Sequence, residues 1–132
     1  MADDKKKELM VQFCMAYKNI LAAHTLWATA RTGRILNEQT GLNVSLFLSQ
    51  NQGGHQQVNA RIPYNEVDLI FCFSDPNSGD QWADQRIMQT VHLCDAYNVP
   101  IATNLGTAEL LVIGLQRGDL DWRNMIPKKH SL

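Results

Sequence analysis

The seven residues Val67-Asp-Leu-Ile-Phe-Cys-Phe73 carry the strongest strand signal in this sequence. They are almost continuously apolar, which is typical of a strand covered on both faces. Shorter strand-like runs occupy residues 25–29, 44–48 and 99–103, the last with Pro100 near its start. All four runs are short enough to be strands of an ordinary sheet.

The segments between these runs have helical spacing. Apolar side chains recur every three or four residues over roughly residues 4–22, where Asp3 or Asp4 could act as N-cap. A turn or short helix is expected over 32–40, a helix from near Gly54, and two more helices, the second ending at Gly118. Strands that alternate with helices imply parallel βαβ units. The sequence therefore predicts an α/β fold, a three-layer sandwich with a mainly parallel sheet.

Size and charge narrow the class of protein. At 132 residues and 14.9 kDa, residues 1–132 are expected to form a single domain. A net charge of −1 gives no reason to expect nucleic acid or an anionic membrane as partner, and no apolar run is long enough to span a bilayer. Three cysteines, odd in number and far apart, indicate reduced thiols. A cytoplasmic location is the expectation, because no secretory signal opens the chain.

Candidate ligand groups follow the predicted strands. In parallel sheets ligands bind beyond the carboxyl ends of the strands. Those ends carry Thr29-Ala-Arg-Thr32, Ser49 to His55, Ser74-Asp75-Pro76 and Thr103-Asn104. Hydroxyl groups, a glycine pair and an aspartate gathered at one edge suit a small phosphorylated ligand. The pair Gly53-Gly54 lets the backbone approach a ligand closely, and His55 directly after it is a candidate acid or base.

Taken together, several motifs make the chain resemble the methylglyoxal synthase family. The order and spacing of these motifs carry the resemblance over nearly the whole chain: Asp4-Lys-Lys-Lys-Glu-Leu-Met-Val-Gln-Phe13, Leu26-Trp-Ala-Thr-Ala-Arg-Thr-Gly33, Thr40-Gly-Leu-Asn-Val44, Gly53-Gly-His-Gln-Gln57, Asp75-Pro76, Leu93-Cys-Asp95 and Pro100-Ile-Ala-Thr-Asn104. The resemblance implies a parallel five-stranded α/β sandwich that assembles as a homohexamer. It also implies conversion of dihydroxyacetone phosphate to methylglyoxal and phosphate, through an enediolate and without metal or organic cofactor.

The departures from the family pattern fall where the chemistry is expected. The family has its catalytic aspartate after the glycine pair, whereas this chain has His55. Its phosphate loop Ala-Thr-Gly-Thr-Thr-Gly reads Ala28-Thr-Ala-Arg-Thr-Gly33 here, so Arg31 is new. The segment that supplies an electrophilic histidine and a second aspartate is unrecognisable in residues 79–84. The scaffold therefore matches while the reacting groups differ.

The start of the chain is a further departure. Family members begin with a central strand ending in Ala-His-Asp, and only Ala2-Asp3-Asp4 corresponds to it here. Loss of a central strand would leave the backbone groups of its neighbours unpaired. Three outcomes are open: the sheet closes up, another chain fills the gap, or the fold is marginal.

The resemblance and the positions at the strand ends together give ten candidate site residues. The candidate catalytic residues are His55, which would act as the base, Asp75, which would assist it, and Asp4. The candidate substrate-binding residues are Lys7, Thr29, Arg31, Thr32, Ser49, Gly53 and Gly54. Structural alternatives stay open: His55 could be a polar residue at a helix start, Asp75 a turn cap, Asp4 an N-cap, and Arg31 could clamp an anion or block the site.

Two classes of function follow. The first is the methylglyoxal synthase reaction on a small phosphorylated metabolite, with activity expected to be weak or absent, in a homo-oligomer. The alternative is a non-catalytic module that binds a small anion or metabolite, whether a natural pseudoenzyme or a redesigned scaffold. No metal site is expected, because His24 and His92 are isolated, His130 lies in the tail, and no two histidines have ligand spacing.

Overall fold

The computed structural model describes residues 1–126, so His130 lies outside the described residues. Four short strands alternate with helices: β1 (Leu26–Ala28), β2 (Val44–Leu46), β3 (Ile70–Phe71) and β4 (Ile101–Ala102). The helices are α1 (Lys7–Ala16), α2 (Lys18–Leu21), α3 (Ala30–Thr40), α4 (Gly54–Arg61), α5 (Gln81–Tyr97) and α6 (Leu105–Arg117). Single 3₁₀ turns lie at Asp4–Lys6, Gln50–Gln52, Ile62–Tyr64 and Asp121–Met125.

The strands form two parallel pairs. β1 lies beside β2, with Leu26 opposite Val44, and β3 lies beside β4, with Ile70 opposite Ile101. Each pair is joined by a crossover helix, α3 in the first and α5 in the second, as parallel strands require. The parallel arrangement predicted from the alternation is thereby confirmed.

Residues 1–3 pair with the residues that follow β3, where the family resemblance places a first strand. Ala2 forms a parallel bridge with Phe73. The Phe73 N–H donates to the Met1 carbonyl at 2.9 Å, and the Asp3 N–H donates to the Phe73 carbonyl at 2.9 Å. The chain's amino group donates to the Phe71 carbonyl at 2.8 Å. Among the described residues no backbone hydrogen bond joins this segment to β1, so pairing is restored on the β3 side only.

Two hydrophobic clusters cover opposite faces of the strands. Phe73 packs with side chains of α1, α3 and α6, including Phe13, Leu36 and Val112. Ile70 and Cys72 face the other way and belong to the cluster built around α4 and α5. Because successive side chains of a strand point to opposite faces, the apolar run at 67–73 serves both clusters. The predicted three-layer α/β sandwich is confirmed.

Several predicted elements needed correction. The helix expected over residues 4–22 is a 3₁₀ turn followed by α1 and α2, which are separated at Tyr17 by a non-helical backbone (φ −113°, ψ 25°). The turn or short helix expected over 32–40 is a full helix that begins at Ala30. Neither Asp3 nor Asp4 provides the predicted side-chain cap, because Asp3 is bonded elsewhere and Asp4 is engaged by cations. The helix end at Gly118 is confirmed, with φ 82°.

The three cysteines are free and buried, as predicted. Burial raises the pKa of the Cys14 and Cys94 thiols to about 11 in each case, so both stay protonated at neutral pH. No helix of the described residues is both long and apolar enough to cross a membrane.

Candidate functional site

A polar cavity of about 350 Å³ lies where β1, β2 and β3 end. Its size is at the lower end of the range of roughly 300–1,000 Å³ for small-molecule sites. Each of the three strand ends contributes to its wall, as do the residues before α1 and the first turns of α5. Seven of the ten predicted site residues line it, namely Asp4, Lys7, Thr29, Arg31, Thr32, Ser49 and Asp75.

Two threonines that line this cavity have hydroxyls without a hydrogen-bond partner among the described residues. Thr29 ends β1 in an extended conformation (φ −61°, ψ 153°), and Thr32 lies in the first turn of α3. Both are fully or almost fully buried, and neither hydroxyl has a hydrogen-bond partner among the described residues. Since an unpaired buried hydroxyl costs free energy, a ligand that accepts these hydrogen bonds would be favoured. The N-terminus of α3 adds a partial positive charge at the same place.

A network of charges closes the side of the cavity formed by the start of the chain. The ammonium group of Lys7 lies 3.0 Å from Asp4 Oδ1 and donates to the Ala2 carbonyl at 2.9 Å. Arg31 Nη1 lies 3.3 Å from the same Asp4 oxygen. The hydrogen bond from Lys7, together with the two positive charges, lowers the pKa of Asp4. Asp4 therefore orients Lys7 and Arg31 at the cavity instead of capping a helix.

Asp75 lies in the segment that follows β3 and is held there by hydrogen bonds. It is 7% exposed, and its Oδ1 accepts the N–H of Asn77 at 3.0 Å, so it does cap a turn. The N–H of Asp75 itself donates to Asp3 Oδ2 at 2.7 Å. Asp3 was not predicted as a site residue, yet it lines the cavity and ties the start of the chain to the end of the strand.

The glycine pair and His55 lie outside the cavity lining. Gly53 has φ 102°, a left-handed conformation that glycine adopts without strain. A side chain at Gly54 would overlap the Leu48 carbonyl oxygen and meet that of Ser49 at 2.9 Å, and the Gly54 N–H donates to the Ser49 carbonyl. The glycine pair was expected to let the backbone approach a ligand. The close approach at Gly54 is instead to the carbonyl oxygens of Leu48 and Ser49.

His55 is buried behind the cavity wall. It is 5% exposed, and its Nδ1 has no hydrogen-bond partner among the described residues. Burial, with smaller contributions from the positive charges of Arg86 and the chain's amino group, lowers the pKa of His55 to about 4. The imidazole is therefore neutral at pH 7. Unlike a carboxylate, it carries no negative charge.

Arg86, in the second turn of α5, is a wall residue that the sequence did not indicate. Its Nε is buried and has no hydrogen-bond partner among residues 1–126. Helical spacing gives the stripe of Ala83, Ile87 and Thr90 that packs inward, but the rotation of α5 against the sheet depends on tertiary packing. Asp80, which also lines the cavity, caps α5 by accepting the N–H groups of Trp82 and Ala83.

Two hydroxyls and the Nε–H of Arg86 in the wall of the cavity can each donate a hydrogen bond and have no partner among the described residues. The buried polar atoms without partners are Thr29 Oγ1, Thr32 Oγ1, His55 Nδ1 and Arg86 Nε. The aspartates around the cavity, in contrast, accept backbone N–H groups or pair with cations. Such a site suits an anion. Within residues 1–126 no group of three or more His, Cys, Asp or Glu side chains is arranged to hold a metal ion.

Comparisons with known proteins show which family the chain resembles. The family model of the MGS-like domain matches residues 9–103. A methylglyoxal synthase of Caldicellulosiruptor saccharolyticus is 49% identical over 128 residues, which cover 97% of this chain and 90% of the relative. A methylglyoxal synthase of Geobacillus thermodenitrificans is 50% identical over 125 residues, covering 95% of this chain and 86% of the relative.

A solved structure extends the agreement to the fold. The crystal structure of methylglyoxal synthase from Elizabethkingia anophelis superposes with a TM-score of 0.76 at 29% identity, covering 85% of this chain and 73% of that one. On this evidence the chain belongs to the methylglyoxal synthase family, whose members carry the MGS-like domain.

Proposed function

We propose that the cavity binds dihydroxyacetone phosphate and converts it to methylglyoxal and phosphate, at a rate well below that expected with an aspartate at position 55. The proposal rests on one observation: Thr29, Thr32 and Arg86 line one cavity at the strand ends, and each has a buried polar atom without a partner among the described residues. Thr29, Thr32 and Ser49 hold the phosphate group, with Lys7 supplying charge. Membership of the family supports this choice of substrate.

The reaction requires a base near the substrate carbon. The base removes a proton from the carbon next to the carbonyl, and an enediolate forms. The enediolate then collapses to a carbonyl, the bond from carbon to the phosphate oxygen breaks, and phosphate leaves with the electron pair. The enol that remains takes up a proton at carbon and becomes methylglyoxal. Asp75 lines the cavity and can take part in this proton transfer, while His55 lies behind the wall. A misplaced base can lower the rate about 10²-fold.

The proposal is tested by incubating the purified chain with dihydroxyacetone phosphate and measuring methylglyoxal and phosphate. We expect His55→Asp to raise the rate by about 10²-fold or more. We expect Asp75→Asn to abolish the remaining activity. Unchanged turnover in His55→Ala would show that His55 is not the base. If dihydroxyacetone phosphate neither binds nor reacts in the wild-type or the His55→Asp protein, the proposed function is wrong.

A second candidate function is binding of a small phosphorylated metabolite without turnover. The position of His55 favours it, because a neutral buried imidazole outside the cavity lining is poorly placed to reach substrate. Saturable binding of phosphate esters together with no release of methylglyoxal would support this candidate. In either case we propose that the protein is cytoplasmic, which agrees with its three free cysteines. We also propose that it forms a homo-oligomer.

A further inference from the structure

Arg86 is a cation without a partner in the wall of the cavity. Its Nε is buried, and no hydrogen bond or ion pair of this side chain occurs among the described residues. A buried N–H that lacks an acceptor costs free energy, and buried polar groups usually have a partner. The positive charge of Arg86 also contributes, after burial, to the lowered pKa of His55.

We propose that Arg86 binds an anionic oxygen at the carbon end of the phosphorylated ligand, so that the site prefers a phosphorylated carboxylate to a phosphorylated alcohol. The inference rests on the proposed function for the position of the phosphate, at Thr29 and Thr32. It adds a class of ligand, the phosphorylated carboxylates, that competes with dihydroxyacetone phosphate for the same cavity. A guanidinium group suits this role because its N–H groups match the geometry of a carboxylate.

The carboxylates of the cavity do not satisfy Arg86. Asp80 caps α5 through Oδ1, Asp75 accepts the Asn77 N–H, and Asp3 accepts the Asp75 N–H. Asp4 is engaged by Lys7 and Arg31 at the other side of the cavity. These aspartates oppose the entry of any anion, but none forms an ion pair with Arg86. A ligand carboxylate would be the first acceptor to do so.

The residue at position 55 reinforces this preference. A histidine that stays neutral leaves the positive charge of Arg86 available to the ligand. An aspartate at the same position would be a negative charge near Arg86 and would compete with the carboxylate of the ligand. The histidine and the arginine therefore act in the same direction on specificity.

The test compares two ligands that share a three-carbon phosphate ester and differ in the carboxylate. Titration calorimetry would measure the binding of 3-phosphoglycerate, glycerol 3-phosphate and inorganic phosphate to the wild-type protein and its variants. We expect 3-phosphoglycerate to bind the wild-type protein at least about tenfold more tightly than glycerol 3-phosphate. In Arg86→Gln the two esters should bind within about twofold of each other, while binding of inorganic phosphate is retained.

Three further variants keep the test falsifiable. Arg86→Lys keeps the positive charge but loses the planar guanidinium group. It should retain part of the preference for 3-phosphoglycerate over glycerol 3-phosphate. His55→Asp should lose most of it although Arg86 is intact. Arg34→Gln, which removes an exposed arginine outside the cavity, should behave as the wild type.

The outcomes separate this inference from the proposed function. Phosphate binding without discrimination between the two esters, or discrimination that survives in Arg86→Gln, would overturn the inference and leave the proposed function intact. If none of the three ligands binds to the wild-type protein, the inference is wrong, and the assay with dihydroxyacetone phosphate decides the proposed function separately. Retained binding of inorganic phosphate in Arg86→Gln shows that this variant is folded.

Discussion

His55 links the chemistry of the site to the stability of the fold. Its pKa in the folded protein, about 4, is below the value of 6.5 for an unperturbed histidine. As the pH falls below 6.5, the unfolded chain therefore binds the proton before the folded protein does. Neutral His55 thus supports folding above pH 6.5, and this support is lost as the pH falls toward 4.

We expect this single group to lower the free energy of unfolding by about 2–3 kcal/mol between pH 7 and pH 4.5. In His55→Gln that part of the acid sensitivity should disappear, because the group that titrates is gone. Urea unfolding at the two pH values measures the difference. His24→Gln, which removes an exposed histidine, is the control and should keep the wild-type pH dependence. Equal pH dependence in the wild-type and the His55→Gln proteins would contradict the assignment.

Thr29 and Thr32 give a second prediction at the scale of single residues. Replacing either by valine keeps the shape and removes a buried hydroxyl without a partner. We expect the ligand-free protein to become more stable by about 1 kcal/mol, whereas affinity for phosphate falls roughly 10–100-fold. Chemical denaturation and calorimetry measure the two effects.

The matched control for these valine variants is Thr90→Val. Thr90 is fully buried as well, but its hydroxyl donates to Asn59 Oδ1 at 2.7 Å. Loss of that hydrogen bond should destabilise the protein by about 1–2 kcal/mol and leave phosphate binding unchanged. If Thr29→Val and Thr90→Val destabilise the ligand-free protein equally, the hydroxyl of Thr29 is not reserved for a ligand.

At the scale of elements, the turn into α4 depends on the absence of a side chain at Gly54. A β-carbon there would overlap the Leu48 carbonyl oxygen and lie 3.0 Å from Thr29 Cγ2. We expect Gly54→Ala to destabilise the fold by about 1–3 kcal/mol and to weaken phosphate binding, because Thr29 would be displaced. Thermal unfolding and calorimetry would measure both effects.

The control at this scale is Gly106→Ala in the first turn of α6. A β-carbon there meets only Asn104 Oδ1, at 3.4 Å, and the residue lies in a helix. Because alanine favours helix more than glycine does, this variant should be as stable as the wild type or more so. A Gly54→Ala protein as stable as Gly106→Ala would show that α4 can shift away from the Leu48 carbonyl.

Sequence reasoning succeeded where an element has its own periodicity. The alternation of apolar runs with helical segments was enough to predict the parallel pairs, the three layers and the strand-end location of the cavity. The bridge formed by Ala2 could not be predicted from the sequence. A bridge of one residue has no periodicity and is defined only by its partner, Phe73. The wall position of Arg86 could not be predicted either, because it depends on how α5 is rotated against the sheet.

At the scale of the whole molecule, the surface of the described residues is unusually rich in aromatic side chains. All three tryptophans are substantially exposed, Trp27 by 50%, Trp82 by 72% and Trp122 by 49%. Leu110 on α6 is 78% exposed. Tryptophan is enriched at interfaces between proteins. Association of identical copies of this chain would cover part of this surface, and no other protein would be needed.

We therefore expect light scattering to give a mass that is a multiple of 14.9 kDa, with six copies as the number implied by the family resemblance. Quenching of tryptophan fluorescence by acrylamide tests the same idea independently of mass. In an oligomer at least one of the three tryptophans should be protected, and dilution to the monomer should make all three accessible. A species of 14.9 kDa at micromolar concentration, with all three tryptophans accessible, would show that these side chains remain in water and that the chain functions as a monomer.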